Sequence, residues 1–355
     1  MHLFPFEMVE KNSNIVIYGA GRVGRDYVNQ AIKSGHCRVV CALDLAHGGK
    51  GDFPVPVRHP DMIREIDDYS TVVIALRSRP ALEEAKAYLS SLGVPWHKIA
   101  VPEIRYVKSV YLGRGCILLK RLRPYDVNGA PFRRLGGPND GGYVMLDDLS
   151  DRDIAYSFGV SSDSSWETAV SEKGIRVFMY DHTIDQIPAE NPLHKWEKIG
   201  ISAVDAPNAP LKTLKSLLAG NGHGDNLGLI LKMDVENDEW AVFAGMDDAI
   251  LRQFRQIVVE LHALKFHCDY AFQPTIAVLD KLLGHHLPVH VHANNYGSYG
   301  IVDGMPLPDT LEVTYARKAD YEFAANARVF PTPLDMPNNP SEYDYALPFF
   351  SRETL

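Results

Sequence analysis

The sequence is poor in the features that mark a secreted, membrane-borne or nucleic-acid-binding chain. Its four cysteines, Cys37, Cys41, Cys116 and Cys268, form no C-x-x-C pair. That argues against a disulfide framework and for reduced, buried thiols in a cytoplasmic protein. No apolar stretch approaches the ~18 residues of a membrane helix. The opening MHLFPFEMVEK has neither a basic start nor an apolar core, so no signal peptide is expected. Positive charge is in deficit, with a net charge of -9, which excludes broad affinity for nucleic acid or an anionic membrane. Fixed-period repeats and low-complexity segments are also missing. What remains is ordinary for a globular chain: 355 residues, 46% hydrophobic and 23% charged, enough for two domains with real cores.

One stretch organises the rest, Leu227–Trp240, LGLILKMDVENDEW. Its apolar run, broken only by Lys232, reads as a strand buried on both faces. The run ends in Asp234, Glu236, Asp238 and Glu239. Carboxylates at the C-terminal tip of such a strand sit where doubly wound α/β sheets bind ligands. Asp238 and Glu239 read as a helix start. Asp234 and Glu236, two apart, are the candidate site residues.

Residues 1–107 read as a small Rossmann-like nucleotide-binding domain. Asn14–Tyr18 is a strand, Gly19-Ala20-Gly21-Arg22-Val23-Gly24 a turn, and a helix follows to about Ser34. The next strand, Arg38–Leu43, ends in Asp44, 20 residues after Gly24. That is the spacing for an acid reaching a ribose hydroxyl, with Gly19, Gly21 and Gly24 around a diphosphate. Thr71–Leu76 is a third strand, Pro80–Leu92 a helix and Ile99–Val101 a last strand. The glycine turn, Asp44 and the segment GDFPVPV resemble the small N-terminal domains of sugar-nucleotide enzymes and of bacterial acyltransferases in glycan pathways. Hydride transfer is not favoured, because no Tyr-x-x-x-Lys pair or second half is present to hold a nicotinamide.

Residues 108–355 read as a second α/β domain with a Pro/aromatic tail, joined to the first through Val107–Arg121. The glycine-rich run between Arg133 and Met145 is a hairpin or lid, with Asp140 and Tyr143 as candidate substrate contacts. Ile154–Phe158 is a strand, Gly159–Asp163 a small-residue loop, and Ser164 with Glu167 a capping box for the next helix. Ile175–Tyr180 then ends in Asp181. A turn with Gly159, Ser161 and Asp163, and Asp181 for ribose, suits adenosine without a diphosphate, which describes S-adenosylmethionine. Trp196–Ser202 is a weak strand and Leu211–Leu218 a helix. Gln256–Leu261 is a strand running into His262, Pro274–Leu283 a helix, and Leu287–His292 and Thr310–Arg317 the last two strands. The expected fold class is α/β with two doubly wound Rossmann-like domains. The second is a mostly parallel seven-stranded sheet with one late antiparallel strand.

The motifs RLGGPNDGGYV (134–144), SFGVSSDSSWE (157–167), YDHT (180–183), LKMDVENDEW (231–240), VVELH (258–262) and HVHANN (290–295) resemble the FkbM-type S-adenosylmethionine-dependent methyltransferases. The resemblance spans about residues 130–320. It implies that the Gly159 loop holds the cofactor, Asp181 its ribose, and that Asp234 lines the methyl-transfer site. The implied reaction is O-methylation of a sugar hydroxyl in glycan biosynthesis. Two departures stand out. Asn237 replaces the family's usual glycine after Glu236, and the cofactor loop has serines where several glycines are usual. Asn237 tolerates a left-handed backbone nearly as well as glycine.

Three strand ends repeat a ligand-x-ligand pattern: Asp234/Glu236, Glu260/His262 and His290/His292. Carboxylates with imidazoles suit Mg²⁺ or Mn²⁺, so Asp234, Glu260 and His262 are the expected metal ligands. Without a metal, His262 or His292 is the expected base. Asn294 and Glu236 are further substrate contacts. The tail, Val329–Leu355, is expected to pack on the body or on another copy of the chain. Two other readings are an NAD-linked sugar-nucleotide oxidoreductase or epimerase and a non-catalytic nucleotide-binding protein.

Overall fold

The computed structural model describes residues 1–48, 51–104, 110–264, 269–302 and 305–350. The chain divides into two compact units, one mainly Met1–Cys116, the other mainly Ile117–Tyr299 with Pro308–Arg352. Cys37 and Cys41 are buried and Cys116 is half-buried, all three free. Cys268, like the start of the expected linker at Val107, lies outside the described residues.

In the first unit the elements run β1 (Asn14–Tyr18), α1 (Arg22–Ser34), β2 (Arg38–Leu43), β3 (Val57–Arg58), β4 (Thr71–Ile74), α2 (Arg79–Ser91) and β5 (Ile99–Ala100). The strands form one parallel sheet in the order β3-β2-β1-β4-β5. β1 is apolar after Asn14 because both of its faces are covered. Ile15 and Ile17 share a core with Val23, Tyr27 and Val28 of α1. Val16 and Tyr18 share the opposite core with Ala85 and Leu89 of α2. Gly24 answers to packing, since a Cβ there would stand 1.8 Å from the Gly19 carbonyl oxygen.

Helix α3 (Val110–Arg121) crosses the division at Cys116/Ile117, and the second unit goes on with β6 (Tyr125–Val127) and an antiparallel hairpin, β7 (Phe132–Leu135) with β8 (Tyr143–Leu146). Then come β9 (Ile154–Phe158), α4 (Ser165–Ser171), β10 (Arg176–Tyr180), β11 (His194–Glu197), β12 (Gly200–Ile201), β13 (Leu211–Lys212), α5 (Leu214–Gly220) and β14 (Leu229–Met233). After these lie α6 (Glu239–Gly245), α7 (Asp248–Leu251), β15 (Phe254–Leu261), α8 (Asp269–His285) and β16 (His286–Ala293). Of the last elements, β17 (Tyr299–Val302) and β18 (Met305–Pro308) fall mainly with the first unit, and β19 (Leu311–Arg317) and β20 (Phe323–Ala325) belong to the second. The main sheet has seven strands in the order β11-β10-β9-β14-β15-β19-β16. Only β19 runs against its neighbours. The expected fold class is therefore the observed one: two doubly wound Rossmann-like sheets, the second seven-stranded with one late antiparallel strand.

Three local expectations need correction. Trp196–Ser202 is not one strand: β11 ends at Glu197, and Gly200–Ile201 turns away to pair with β13. The expected helix over Leu211–Leu218 begins only at Leu214, where the Thr213 hydroxyl caps it by accepting from Ser216 N. The Ser164/Glu167 capping box does not form: Ser164 makes no side-chain cap bond. Instead Asp163 accepts from Ser165 N at 2.7 Å. Glu167 is drawn inward, where it accepts from the Ser157 hydroxyl and stands 3.6 Å from Lys232 Nζ. A buried carboxylate gains more from a cation than from a solvated N-terminus.

Candidate active site

The candidate site lies at the C-terminal edge of β9, β10, β14 and β15. Gly159, directly after β9, has φ +77°, and a Cβ there would sit 1.6 Å from the Asp234 backbone oxygen. Only glycine lets the tips of β9 and β14 close to this distance. Beneath the turn, Lys232 is 4% exposed and donates to the Gly159 carbonyl at 2.5 Å. Burial opposes its charge, but Glu167, Asp234 and Glu260 outweigh that and raise its pKa. The one polar interruption of the apolar run is thus the post that supports the turn.

Asp181 closes the turn from the tip of β10. Its Oδ2 accepts from Val160 N at 3.0 Å and Ser161 N at 2.9 Å. Its Oδ1 accepts from Thr183 N at 2.8 Å and Thr183 Oγ1 at 2.6 Å. Burial pushes its pKa up, but these bonds prevail and hold it below the usual carboxylate value. Turn and acid stand on adjacent strands. All four acceptor positions of Asp181 are taken, two by the turn after β9 and two by Thr183 of its own loop. The hairpin loop comes alongside: Gly137 N donates to Ser165 Oγ at 2.7 Å, while Asp163 accepts from the same hydroxyl at 3.0 Å.

Asp234 follows β14 immediately and keeps 26% of its side chain exposed. Strand alternation does not explain how it meets Glu236, because β14 ends at Met233. A left-handed turn does, with Glu236 at φ 52° and Asn237 at φ 84°. His262 closes the group: its Nε2 lies 3.9 Å from Asp234 Oδ1, 3.5 Å from Glu236 Oε2 and 3.5 Å from Glu260 Oε1. Its Nδ1 lies 3.4 Å from Glu239 Oε1, which also accepts from His262 N at 2.7 Å. Burial lowers the His262 pKa, but Glu239, Asp234 and Glu236 together raise it. Asp234 is itself raised, by burial against the pull of Lys232 and His262. Tyr143, 1% exposed, donates to Asp234 Oδ2 at 3.3 Å.

A second row crosses the sheet beside these residues. Register places Glu260 of β15 opposite Glu312 of β19, and Glu312 opposite His292 of β16. Ligand atoms fall into two groups within 4.8 Å: Asp234 with Glu236 and His262, and Asp140 with Glu260 and Glu312. The expected trio of Asp234, Glu260 and His262 is divided between them. Burial, then Asp234 and Glu312, push Glu260 well above the usual carboxylate range. Asn294 donates to Glu260 Oε1 at 2.6 Å. His292 is taken at both nitrogens, Nδ1 2.9 Å from Glu312 and Nε2 3.1 Å from Asp344. Burial opposes its charge, yet these two carboxylates raise its pKa to about 10. At neutral pH it is an imidazolium holding the tail and does not serve as a base. The tail also buries Phe330, Phe349 and Phe350, and His290 meets Asp335 at 2.8 Å. Glu312, Glu239 and Asn338 were not singled out in the sequence. A lone Glu two residues from Thr310 and Thr314 in an otherwise apolar strand was the available signal for the first.

In the first unit, Asp44 accepts from Ala20 N at 2.7 Å and Ala46 N at 2.9 Å, so it ties the glycine turn much as Asp181 ties its own. A cavity of about 360 Å³ opens beside it, lined by Tyr18, Gly19, Asp44, Leu76, Glu84 and Tyr88 among others.

Residues 151–296 match the family described as the methyltransferase FkbM domain. The match falls entirely within the second unit. The matched stretch contains Gly159, Asp181, Asp234, Glu239, Glu260 and His262; Asp140, Glu312 and Asn338 lie outside it. No curated protein matches the chain. Among similar solved structures is a putative hemolysin from Streptococcus thermophilus, 10% identical, covering 57% of this chain and 75% of that chain with a TM-score of 0.30. Another is Haemonchus contortus phosphoethanolamine N-methyltransferase 2, in complex with phosphomonomethylethanolamine and S-adenosylhomocysteine. It is 8% identical and covers 77% of this chain and 76% of that one, with a TM-score of 0.21. At such scores neither structure bears on the chemistry of this one. No helix among the described residues is long and apolar enough to cross a membrane.

Proposed function

We propose that the FkbM domain is an S-adenosylmethionine-dependent methyltransferase acting on a sugar hydroxyl in glycan biosynthesis. The observation that carries this reading is the contact of the Gly159 turn with Asp234, next to His262, at the strand tips of a methyltransferase domain. The cofactor, when bound, supplies a methyl group on a sulfonium for in-line transfer. The loop Gly159–Asp163, with Ser161 and Asp163, would hold its adenosine. Asp181 Oδ2 keeps the turn, and Oδ1 would exchange its Thr183 donors for ribose hydroxyls. Asp234, Glu236, Asp140 and Tyr143 position the acceptor, and Asn294 orders Glu260 behind it. His262 would take the acceptor's hydroxyl proton through Nε2. Glu239 fixes the ring for that step. A divalent cation among the adjacent carboxylates would further acidify the hydroxyl.

The first unit is read as a nucleotide site, supported by its cavity at the tips of β1, β2 and β4. Incubating the whole protein with S-adenosylmethionine and a panel of nucleotide sugars and free glycans tests the assignment. Acceptor-dependent release of S-adenosylhomocysteine supports it. Binding of NAD with hydride transfer to or from a sugar nucleotide would replace it with an oxidoreductase.

A further inference from the structure

We propose that the cavity beside Asp44 in the first unit is the base pocket of a nucleoside 5′-diphosphate site, in which the Tyr18 hydroxyl donates to the base. The proposal deepens the nucleotide reading of that unit, on which it rests, and is independent of the methyltransferase reading.

Tyr18 is the last residue of β1 and lines the cavity, yet it is only 5% exposed. Among the described residues its hydroxyl makes no hydrogen bond. Burial raises its pKa, and Tyr88 and Asp44, which line the same cavity, raise it further. The hydroxyl therefore faces those two groups and keeps its proton, a donor without an acceptor. Tyr88 differs, because its hydroxyl already donates to Asp61 Oδ1 at 2.8 Å. Buried polar groups in folded chains are almost always bonded, and a ligand supplies the acceptor that Tyr18 lacks.

The turn after β1 carries a second, independent sign. Gly19 is fixed by its φ of +108° and Gly24 by the Gly19 carbonyl against it. Gly21 answers to neither constraint. Its φ of -83° and ψ of -161° suit any residue, and a Cβ there would meet nothing within 4 Å. A side chain at Gly21 would obstruct only what approaches the turn from outside. Gly21 also precedes α1, a helix of 13 residues, with no side-chain cap bond and no acid in the first turn. Arg22 is exposed at the first helical position. An uncapped helix start beside a guanidinium attracts a diphosphate, and Gly19 lines the cavity next to it.

The cavity of about 360 Å³ is the size of a small-molecule site, about 300–1,000 Å³. Leu45, Leu76, Ala81 and Ala85 give apolar walls for the faces of a base, and Asp44 stands where ribose hydroxyls donate. Among the described residues no basic side chain lines the cavity, so phosphates stay outside it, at the turn. Cavity, carboxylate and turn thus match base, ribose and diphosphate, a chemistry that nucleotide sugars and dinucleotides share.

The test is calorimetric titration of the whole protein with ADP, UDP and GDP, with NAD and UDP-glucose as esters, and with S-adenosylhomocysteine as a control. One diphosphate per chain is expected at a Kd below about 1 mM, and its nucleoside alone should bind at least tenfold more weakly. Tyr18→Phe should weaken that binding about three- to tenfold, the loss of one hydrogen bond. Its melting temperature should hold or rise, because no bond within the protein is lost. Gly21→Ala should weaken binding at least tenfold at an unchanged melting temperature. Both variants should bind S-adenosylhomocysteine like the unmodified protein. Tighter binding of UDP-glucose than UDP, or of NAD than ADP, supports the site and tells which ester it takes. Binding lost in Gly21→Ala but equal in Tyr18→Phe overturns the base pocket and leaves the nucleotide reading standing. No saturable binding of any of the five at millimolar concentration overturns both.

Discussion

Asp181→Asn is the most informative single substitution, because it changes one atom in a fully engaged group. The carboxylate receives four hydrogen bonds, two on each oxygen. An amide keeps one acceptor oxygen and sets an N–H₂ against the other pair of donors. If the oxygen stays with Val160 and Ser161, the turn survives and the ribose side is lost. If it stays with Thr183, the turn loosens. Either way two charge-assisted bonds go, at a loss of about 2–4 kcal/mol in order of magnitude. Part of that falls on folding, seen as a melting decrease of several degrees. The rest falls on the cofactor, because the charged acceptor for ribose is gone. Calorimetric titration with S-adenosylhomocysteine should show at least a tenfold rise in Kd, about 1.4 kcal/mol. An unchanged Kd, with the melting temperature lowered or not, refutes the assignment of Asp181 to the cofactor.

Thr183→Ala should leave S-adenosylhomocysteine affinity equal or tighter, because it removes a competitor for Asp181 Oδ1; tenfold weakening in the same titration would contradict the exchange. Lys232→Met should destabilise the chain by about 3–5 kcal/mol in urea denaturation, since it leaves Glu167 buried without its cation; adding Glu167→Leu should recover much of the loss. His262→Ala should lower kcat by about 10²–10⁴ while cofactor affinity stays unchanged. In the unmodified enzyme, activity should rise with pH through a His262 pKa above the ordinary 6.5, since the base acts deprotonated. The His292 pKa of about 10 implies a further pH effect. Its contribution is whole below about pH 6.5, declines as pH rises because the folded state holds the extra proton, and is gone above pH 10. A loss of up to about 5 kcal/mol should appear as rising protease cleavage within 329–350 across that range, and flat cleavage would contradict it.

The sheets were legible because buried parallel strands leave apolar runs, as in Ile15–Tyr18 and Leu229–Met233, and a glycine turn follows at once after Tyr18 and after Phe158. Asp234 and Asp181 were legible as acids at strand tips. Glu312 was hidden because its strand runs antiparallel and inserts between β15 and β16, so only register brings it opposite Glu260. Glu239 passed for a helix start. It does open α6, but its side chain turns inward to His262. Glu167 passed for a cap because nothing local tells that Lys232, far along the chain, will claim it. Asn338 sat in a segment whose prolines and aromatics spoke only of packing. In each case the deciding contact is tertiary, and local pattern carries no trace of it.

A structure of the protein with S-adenosylhomocysteine is the most direct measurement. The adenosine should lie along the Gly159 turn with its ribose on Asp181, and the sulfur should point toward Asp234 and His262. A ligand lodged elsewhere, or one whose sulfur faces away from Asp234, would contradict the assignment of this edge of the sheet as the methyl-transfer site.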